Sequence, residues 1–363
     1  MAYTDIDDPS DYFNTLLYAG NDSNRSFSGV GFQPDWVWVK ARDNTTWHIV
    51  FDSVRGAVIE GELHPNDDAA EGASNNALYG YLSSFDSDGF STVNGSNASD
   101  ALNQNGKTFV AWNWKAGTSV SGNTTGSGTA KAYSGSVNTD AGFSITAFTG
   151  NGTANHTLPH SLSSIPSMFI IKKRIGTGDG TDRDWNVYHQ SLGNTKVIFL
   201  NTNAATSTSA EYWNNISPTS SVINLGTNDQ INGDNNTYIC YAFAEKQGYS
   251  KFKSYIGNNN VNGPLVYTGF KPAWVMLKSS GENGWSIYDN KRSPFNLCQN
   301  TLLANTTGVE QTSGGNGAID ILSNGFKIKN TDAGINSDGV EYIYMAWAEN
   351  PFTTSTGVPA TAR

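Results

Sequence analysis

Several residue types are scarce in this chain, and each scarcity argues against a class of protein. The two cysteines, Cys240 and Cys298, are too few for a disulfide framework and lack CxxC spacing, so we expect two buried thiols. No apolar run approaches the roughly 20 residues of a membrane span. Charged residues make up only 15% of the chain and the net charge is −10, so neither a membrane nor a nucleic acid is expected as a partner.

Catalytic signatures are also missing from the sequence. The five histidines lie outside any HExxH motif, no GxSxG stands near them, and no glycine-rich loop ends in Lys-Ser/Thr. We therefore predict no catalytic residue, no cofactor and no enzymatic activity. The amino terminus, MAYTDIDDPSDYF, is acidic and has no apolar core, so no export signal is expected.

Glycine and aromatic residues are abundant. The chain has 38 glycines and an aromatic content of 12%, with Asn, Ser and Thr between the aromatic side chains. Aromatic side chains of this number provide enough apolar surface for packed cores, which argues against global disorder. The sequence therefore predicts a folded protein with many turns.

Four sequence anchors recur three times. A strand led by proline carries a lysine six residues later, and an aromatic-x-Gly-Asn element precedes each proline. A second strand begins at a tryptophan, and an aromatic strand closes each copy about 70 residues after its proline. The anchors are Pro34, Pro166 and Pro272; Lys40, Lys172 and Lys278; Trp47, Trp185 and Trp285; and the closing strands from Phe109, Tyr238 and Tyr342.

Apolar residues alternate with a period of two inside these anchors, and the segments between them are rich in Gly, Asn, Ser and Asp. We predict an all-β protein of three tandem antiparallel β-sandwich repeats, jelly-roll-like and each of about one hundred residues. The predicted divisions are a docking segment (1–15), repeat 1 (16–117), a Gly/Ser/Thr-rich linker or exposed ribbon (118–142), a divergent repeat 2 (143–248), repeat 3 (249–352) and a weakly ordered tail (353–363).

The proline-led strands are apolar on both faces. Val37 and Val39 lie on one face, and Trp36 and Trp38 on the other, so both faces need cover. A homo-oligomer would provide it. Three repeats in one chain covering one another is the alternative.

Two groups of charged residues invite a role. Asp52 with Arg55, and Asp289 with Arg292, repeat an Asp-x-x-Arg pattern, which we interpret as structural ion pairs that close a strand-to-loop turn. The loop at residues 176–184 places acidic residues beside glycines, as calcium sites do. Because it lacks the spacing of an EF-hand, a polar hairpin insertion is favoured over a metal site at Asp179, Asp182 and Asp184.

Aromatic residues divide into two sets. Tryptophans within the anchors, Trp47 among them, are assigned to cores or interfaces because the anchors form the strands. Aromatic residues in segments unique to one copy are the better candidates for stacking on sugar rings, and these are Tyr79, Tyr81, Tyr212 and Trp213.

The sequence words DDPSDYFNTLLYAGN, GFQPDWVWVKARD, FDSDGF, YTGFKPAWVMLK, WSIYDNKR and YIYMAWAENPF resemble repetitive virion-associated proteins of marine bacteriophages, a domain of unknown function. The resemblance runs from Asp7 to Phe352 and implies a particle component of the tail-fibre or spike type. Such appendages have closed cyclic symmetry, so the resemblance favours a trimer as the homo-oligomer. It implies no catalytic residues. Copy two departs from the pattern because it lacks the Asp-x-x-Arg and Gly-Phe words.

These observations together favour a virion structural protein, assembled in the host cytoplasm and located on the exterior of the particle. We expect other virion proteins as partners and adhesion to host surface polysaccharide as the purpose. The alternatives are a capsid-surface decoration protein and, less favoured, a polysaccharide-degrading enzyme with two acidic residues in one cleft.

Overall fold

A computed structural model describes residues 2–74, 76–97, 101–175, 184–315 and 317–361. Strands dominate these residues, and every sheet is built from antiparallel neighbours. The prediction of an all-β fold of the β-sandwich class is confirmed. No helix within the described ranges has the length and apolarity that a bilayer span requires.

Three groups of strands follow one another along the chain, and we call them units 1, 2 and 3. Unit 1 contains β1 Phe13–Ala19, β2 Arg25–Phe27, β3 Trp36–Ala41, β4 Ile49–Asp52, β5 Tyr81–Asp86, β6 Gly89–Val93 and β7 Thr108–Trp114. Unit 2 contains β8 Thr118–Asn123, β9 Thr125–Gly126, β10 Ala132–Asn138, β11 Phe143–Thr149, β12 His156–Pro159, β13 Met168–Ile175, β14 Trp185–His189, β15 Lys196–Phe199, β16 Ser207–Thr208, β17 Val222–Leu225 and β18 Thr237–Phe243. Unit 3 contains β19 Ser250–Ile256, β20 Leu265–Tyr267, β21 Phe270–Ser279, β22 Trp285–Asp289, β23 Leu302–Leu303, β24 Ile319–Leu322, β25 Gly325–Ile328 and β26 Glu341–Pro351.

The helices are short. They are a 3-10 turn at Pro9–Asp11, α1 Asn76–Tyr79, α2 Ala210–Trp213, α3 Asp229–Asn232 and α4 Ala333–Asn336. Side chains of Asn228 and Asp332 accept backbone N–H bonds at the start of α3 and α4, as helix N-caps do.

The main sheets of the units share one strand order. The orders β1-β7-β3-β4, β11-β18-β13-β14 and β19-β26-β21-β22 each place the closing strand between the first strand and the proline-led strand. Register agrees as well, since Trp36 lies opposite Trp114, Met168 opposite Phe243 and Trp274 opposite Trp347.

A three-stranded outer sheet covers one face of each main sheet. These sheets are β2-β6-β5, β17-β12-β9 and β20-β25-β24. In unit 1 the covered face carries Val37 and Val39 of β3, which pack with Phe27 and Phe90 of the outer sheet. Each unit is thus a two-layer sandwich with a core of its own between the main sheet and the outer sheet, which we call its outer core.

The other faces of the three main sheets meet in one shared central core. Trp36 of unit 1 stacks on Tyr241 of unit 2 at 4.7 Å, and Trp114 of unit 1 meets Trp274 of unit 3 edge to face at 5.8 Å. Phe243 of unit 2 contacts Trp347 of unit 3 at 5.3 Å. The large residues of the closing strands therefore face the neighbouring units, and the chain itself provides the cover for which a homotrimer was expected.

Three equivalent side-chain contacts, one at each boundary, link the units in a cycle. The Trp185 indole of unit 2 donates to the His64 carbonyl of unit 1 (2.8 Å), and the Trp285 indole of unit 3 donates to the Phe199 carbonyl of unit 2 (2.9 Å). His48 of unit 1 contacts the Leu303 carbonyl of unit 3 at 3.1 Å. The three units therefore close a ring within one chain.

The segment 118–142 differs from the expected linker. It forms β8 and β10, a hairpin that adds two strands to the main sheet of unit 2 through β11. Its Ser, Thr and Gly side chains are small, but Val120, Tyr133 and Val137 alternate onto the face that packs against the core of unit 2. Of the two sequence interpretations, the ribbon is the one found.

The N-terminal segment packs against the rest of the chain, and the tail contacts the N-terminal segment. Phe13, within the predicted docking segment, is buried in the central core, and the Thr4 hydroxyl donates to the Gln247 carbonyl at 2.8 Å. In the tail, the Ser355 backbone N–H donates to Asp7 at 2.6 Å. Residues 1–15 and 353–363, so far as they are described, thus pack on their own chain.

Candidate functional site

Trp47 occupies a different position from the other anchor tryptophans. In the sheets, Trp185 lies opposite Lys172 and Trp285 opposite Lys278, whereas Val39 lies opposite Ile49. His48, not Trp47, is therefore the residue that matches Trp185. A shift of one residue sends a side chain to the opposite face of a strand, so Trp47 leaves the central core.

A cleft of about 310 Å³ opens beside Trp47. Its lining comes from units 1 and 3 and contains Asn44, Thr45, Thr46, Trp47, Tyr79, Ala101 and Thr307. The rings of Trp47 and Tyr79 are half-buried and meet edge to face, with centroids 5.5 Å apart and planes at 80°. The lining is thus aromatic on one side and rich in hydroxyl and amide groups on the other, and none of these side chains is charged.

The Thr46 side chain lines this cleft, but its hydroxyl is buried in the wall. Thr46 is only 8% exposed, and its Oγ1 has no hydrogen-bond partner among the described residues. A buried hydroxyl without a partner costs roughly 1–3 kcal/mol, and because this atom is closed to solvent, a ligand in the cleft does not reach it. The neighbouring Asn44 amide is held in place, because its Nδ2 donates to Gln104 Oε1 at 2.6 Å.

His64 supports the Trp47 ring from behind. The two rings stack at 5.2 Å with planes only 4° apart. The Nδ1 atom of His64 is 3.3 Å from the Asp67 carboxylate, and its Nε2 is 3.4 Å from the Ser74 hydroxyl. Because the Ser74 hydroxyl donates to Glu62 at 2.6 Å, we assign this group to positioning the ring rather than to nucleophilic chemistry.

The other predicted sugar-contact residues lie elsewhere. Tyr81 is on β5 opposite Val93 and packs against the outer core of unit 1. Tyr212 and Trp213 lie on α2, and they are 7% and 1% exposed. Trp213 meets Phe169 edge to face at 4.9 Å, and its indole donates to the Lys196 carbonyl. Helix α2 packs both rings into the core of unit 2, so neither ring face is open for stacking on a sugar.

The Asp52–Arg55 pair lies at the boundary between units 1 and 2. Arg55 Nε is 2.5 Å from Asp52 Oδ2, and its Nη1 is 2.9 Å from Glu71. Unit 2 contributes Arg174, which pairs with Glu71, and Tyr241, whose hydroxyl donates to Asp52 at 2.7 Å. Burial alone would lower the pKa of Arg55, but the carboxylates of Asp52 and Glu71 raise it, so the guanidinium stays charged.

The Asp289–Arg292 pair has the same arrangement between units 3 and 1. Arg292 pairs with Asp289 at 2.5 Å and with Glu310 at 3.0 Å. Unit 1 contributes Arg42, whose Nε and Nη2 donate to the two carboxylate oxygens of Glu310. It also contributes Trp112, whose indole donates to Asp289 at 3.0 Å. Both sequence-predicted pairs are thus the centres of larger networks that join units.

The boundary between units 2 and 3 has no such charges at the matching positions. At the two charged boundaries, the backbone N–H groups of Glu71 and Glu310 donate to the carbonyls of Arg174 and Arg42. The equivalent bond at this boundary runs from the Thr206 N–H to the Ser280 carbonyl, at 3.0 Å. His189 replaces the aspartate, and its Nε2 contacts the Tyr344 carbonyl. The divergence of copy two in the sequence therefore coincides with a neutral boundary.

The suggested calcium loop is only partly described. Asp179 and Asp182 lie outside the described residues, and Asp184 accepts a hydrogen bond from Asn201 Nδ2 at 2.7 Å. Within the parts of the chain that the structure covers, no group of three or more potential ligands is placed to hold a metal ion.

A family model described as a domain of unknown function (DUF7483) matches residues 8–351, so the chain belongs to that family. Neither curated proteins nor solved structures gave a match.

Proposed function

We propose that this member of the DUF7483 family is a structural subunit on the exterior of a phage particle, of the tail-fibre or spike type, and that it adheres to host surface glycans through the Trp47 cleft. Support for the virion location comes from the sequence words that resemble marine phage virion proteins. Support for adhesion comes from the chemistry of the cleft.

The observation that carries the binding proposal is the pairing of two half-buried rings with neutral hydroxyl and amide side chains in one cleft. The C–H faces of a sugar ring stack on an aromatic side chain, while its hydroxyls need hydrogen-bond partners. Trp47 and Tyr79 offer the ring surface, and the exposed Thr45 offers a hydroxyl in the same lining. Because no lining side chain is charged, the ligand we propose is a neutral saccharide.

Among the described residues, unit 1 alone carries this site. The position of Trp47 is occupied by Asp184 in unit 2 and by Gly284 in unit 3, as the strand registers show. A single shallow site binds weakly, so adhesion depends on many copies on one particle, which adds roughly 10²-fold or more in avidity.

The test is binding of the full chain to host cells and to purified envelope polysaccharide. Trp47→Ala should weaken binding by about tenfold, from the loss of about 1.4 kcal/mol of stacking. Tyr267→Ala, which removes an aromatic ring that is 55% exposed in unit 3, is the matched control and should leave binding unchanged. Raising the ionic strength should also have little effect, because the lining has no charges to screen.

Four results would count against this proposal. Loss of binding at moderate salt would show that charged groups elsewhere dominate. Equal losses in the Trp47→Ala and Tyr267→Ala variants would remove the cleft from the account. Release of soluble sugar by the wild-type chain would favour the enzyme alternative, and absence of binding under all conditions would favour a decoration protein.

A further inference from the structure

The hairpin of unit 2 ends in an open sheet edge. Strand β8, Thr118–Asn123, is the last strand of the eight-stranded sheet and pairs only with β10. Five of its six residues are exposed, and Val120 is half-buried. Among the described residues, no side chain or backbone group outside β10 forms a hydrogen bond with β8.

Other edges of the main sheets are protected. Strands β16 and β23 have only two residues each. Strand β19 carries Lys251 and Lys253, and lysine on an edge discourages pairing with another chain. On β1, the Thr15 N–H donates to the Asn14 side chain, and the Ala19 carbonyl accepts from the Arg25 side chain of β2. Leu63 bridges to Val50 and covers β4. Strand β8 shows none of these devices.

We propose that β8 pairs antiparallel with β8 of a second copy, which joins two chains into a dimer across a two-fold axis. The choice of a second copy rests on charge. Each chain carries a net charge of −10, so two copies repel across most of their surfaces. The hairpin 118–138 contains one charged side chain, Lys131, which is paired with Asp234 of its own chain. The edge is therefore a neutral region where two acidic chains can meet.

The sequence of β8 suits pairing with itself. With Val120 opposite Val120 of the partner subunit, Ser119 would lie opposite Ser121 of the partner subunit and the reverse. Cross-strand hydroxyl pairs of this kind stabilise antiparallel strands. Isologous pairing needs a self-complementary edge, and β8 provides one without any like-charge contact. The dimer would be independent of the Trp47 cleft, which lies in unit 1.

Sedimentation of the full chain tests the proposal. The wild type should reach twice the chain mass of 39.0 kDa as its concentration rises. The double variant Ser119→Lys with Ser121→Lys should remain a monomer at the same concentrations. Ser207→Lys with Thr208→Lys, at the opposite and also exposed edge of the same sheet, is the matched control and should dimerise like the wild type.

Hydrogen exchange locates the contact. The backbone amides of β8 should exchange slowly in concentrated wild-type protein and rapidly after dilution, whereas those of β19 should be unaffected. A wild type that stays monomeric at all concentrations would overturn the proposal. So would a dimer that survives both lysines on β8, or an oligomer of odd number. Unchanged melting temperatures in the lysine variants would show that their folding is intact.

Discussion

Two buried histidines at the boundaries between units are held in the neutral form. His48 Nδ1 accepts a hydrogen bond from the Trp38 indole at 2.9 Å, so the proton lies on Nε2, which donates to the Leu303 carbonyl. His189 has the same pattern, with Nδ1 accepting from Ser191 N–H and Nε2 facing the Tyr344 carbonyl. Both rings are neutral, and burial lowers the pKa of each below 6.5, to about 4 for His189.

Acid should therefore destabilise the protein through His189. Below pH 6.5 the unfolded chain binds a proton at this residue that the folded chain refuses until about pH 4, so the free energy of unfolding falls as the pH falls through this window. His189→Gln retains a donor and an acceptor but cannot titrate. We expect the stability difference between wild type and variant to shrink by about 3 kcal/mol between pH 6.5 and 4 in urea titrations. Parallel curves for the two proteins would contradict this assignment.

The two ionic networks show how elements join across units. Each has a local part, Asp and Arg three residues apart, and a distant part contributed by Glu71 with Arg174 or by Glu310 with Arg42. A buried ion pair repays its desolvation only when its remaining polar groups are satisfied, which the second carboxylate and the neighbouring arginine achieve. The networks therefore hold neighbouring units together through ion pairs that cross the boundary.

Substitution should rank the members of the unit 3 network by burial. Arg292→Met leaves the buried carboxylates of Asp289 and Glu310 without a central partner and should cost about 3–5 kcal/mol. Arg42→Met removes a cation that is 23% exposed while Arg292 still holds Glu310, so it should cost about 1 kcal/mol. Ser280→Ala, at the matching position of the neutral boundary, keeps the backbone bond and serves as the control. Urea unfolding measures all three, and equal costs for the two arginine variants would refute this ranking.

Sequence reasoning reached the elements whose cause is local. The period of two places Val37 and Trp36 on opposite faces, and the structure has one in the outer core and the other in the central core. It also gives the Asp52–Arg55 spacing. It could not give Glu71 as the third partner, because that contact depends on how a later loop returns. Trp47 was assigned to the core because WHIVFD was aligned with WSIYD one residue out of register. The sequence did contain a sign of this shift, since Asp52 follows Trp47 by five residues whereas Asp289 follows Trp285 by four.

At the scale of the whole molecule, the central core makes the three units depend on one another. The inner faces of the main sheets are apolar in every unit, and each would be exposed if its neighbours were absent. An exposed face with tryptophans as large as Trp36 and Trp38 would be an aggregation site in an isolated unit. Independent domains would share no core, whereas here the largest core is formed by residues of all three units.

Damage to this core in one unit should therefore spread to the others. Trp274 of unit 3 is fully buried and contacts Trp112 at 6.1 Å and Trp114 at 5.8 Å, both in unit 1. Trp274→Ala should cost about 3–5 kcal/mol and accelerate amide exchange in the main sheets of all three units. Phe326→Ala, equally buried but within the outer core of unit 3, is the matched control, and its effect should concentrate in β20, β24 and β25. Hydrogen exchange read by mass spectrometry separates the cases. If Trp274→Ala loosened only unit 3, the units would be stable separately and the shared core would be a contact surface between finished domains.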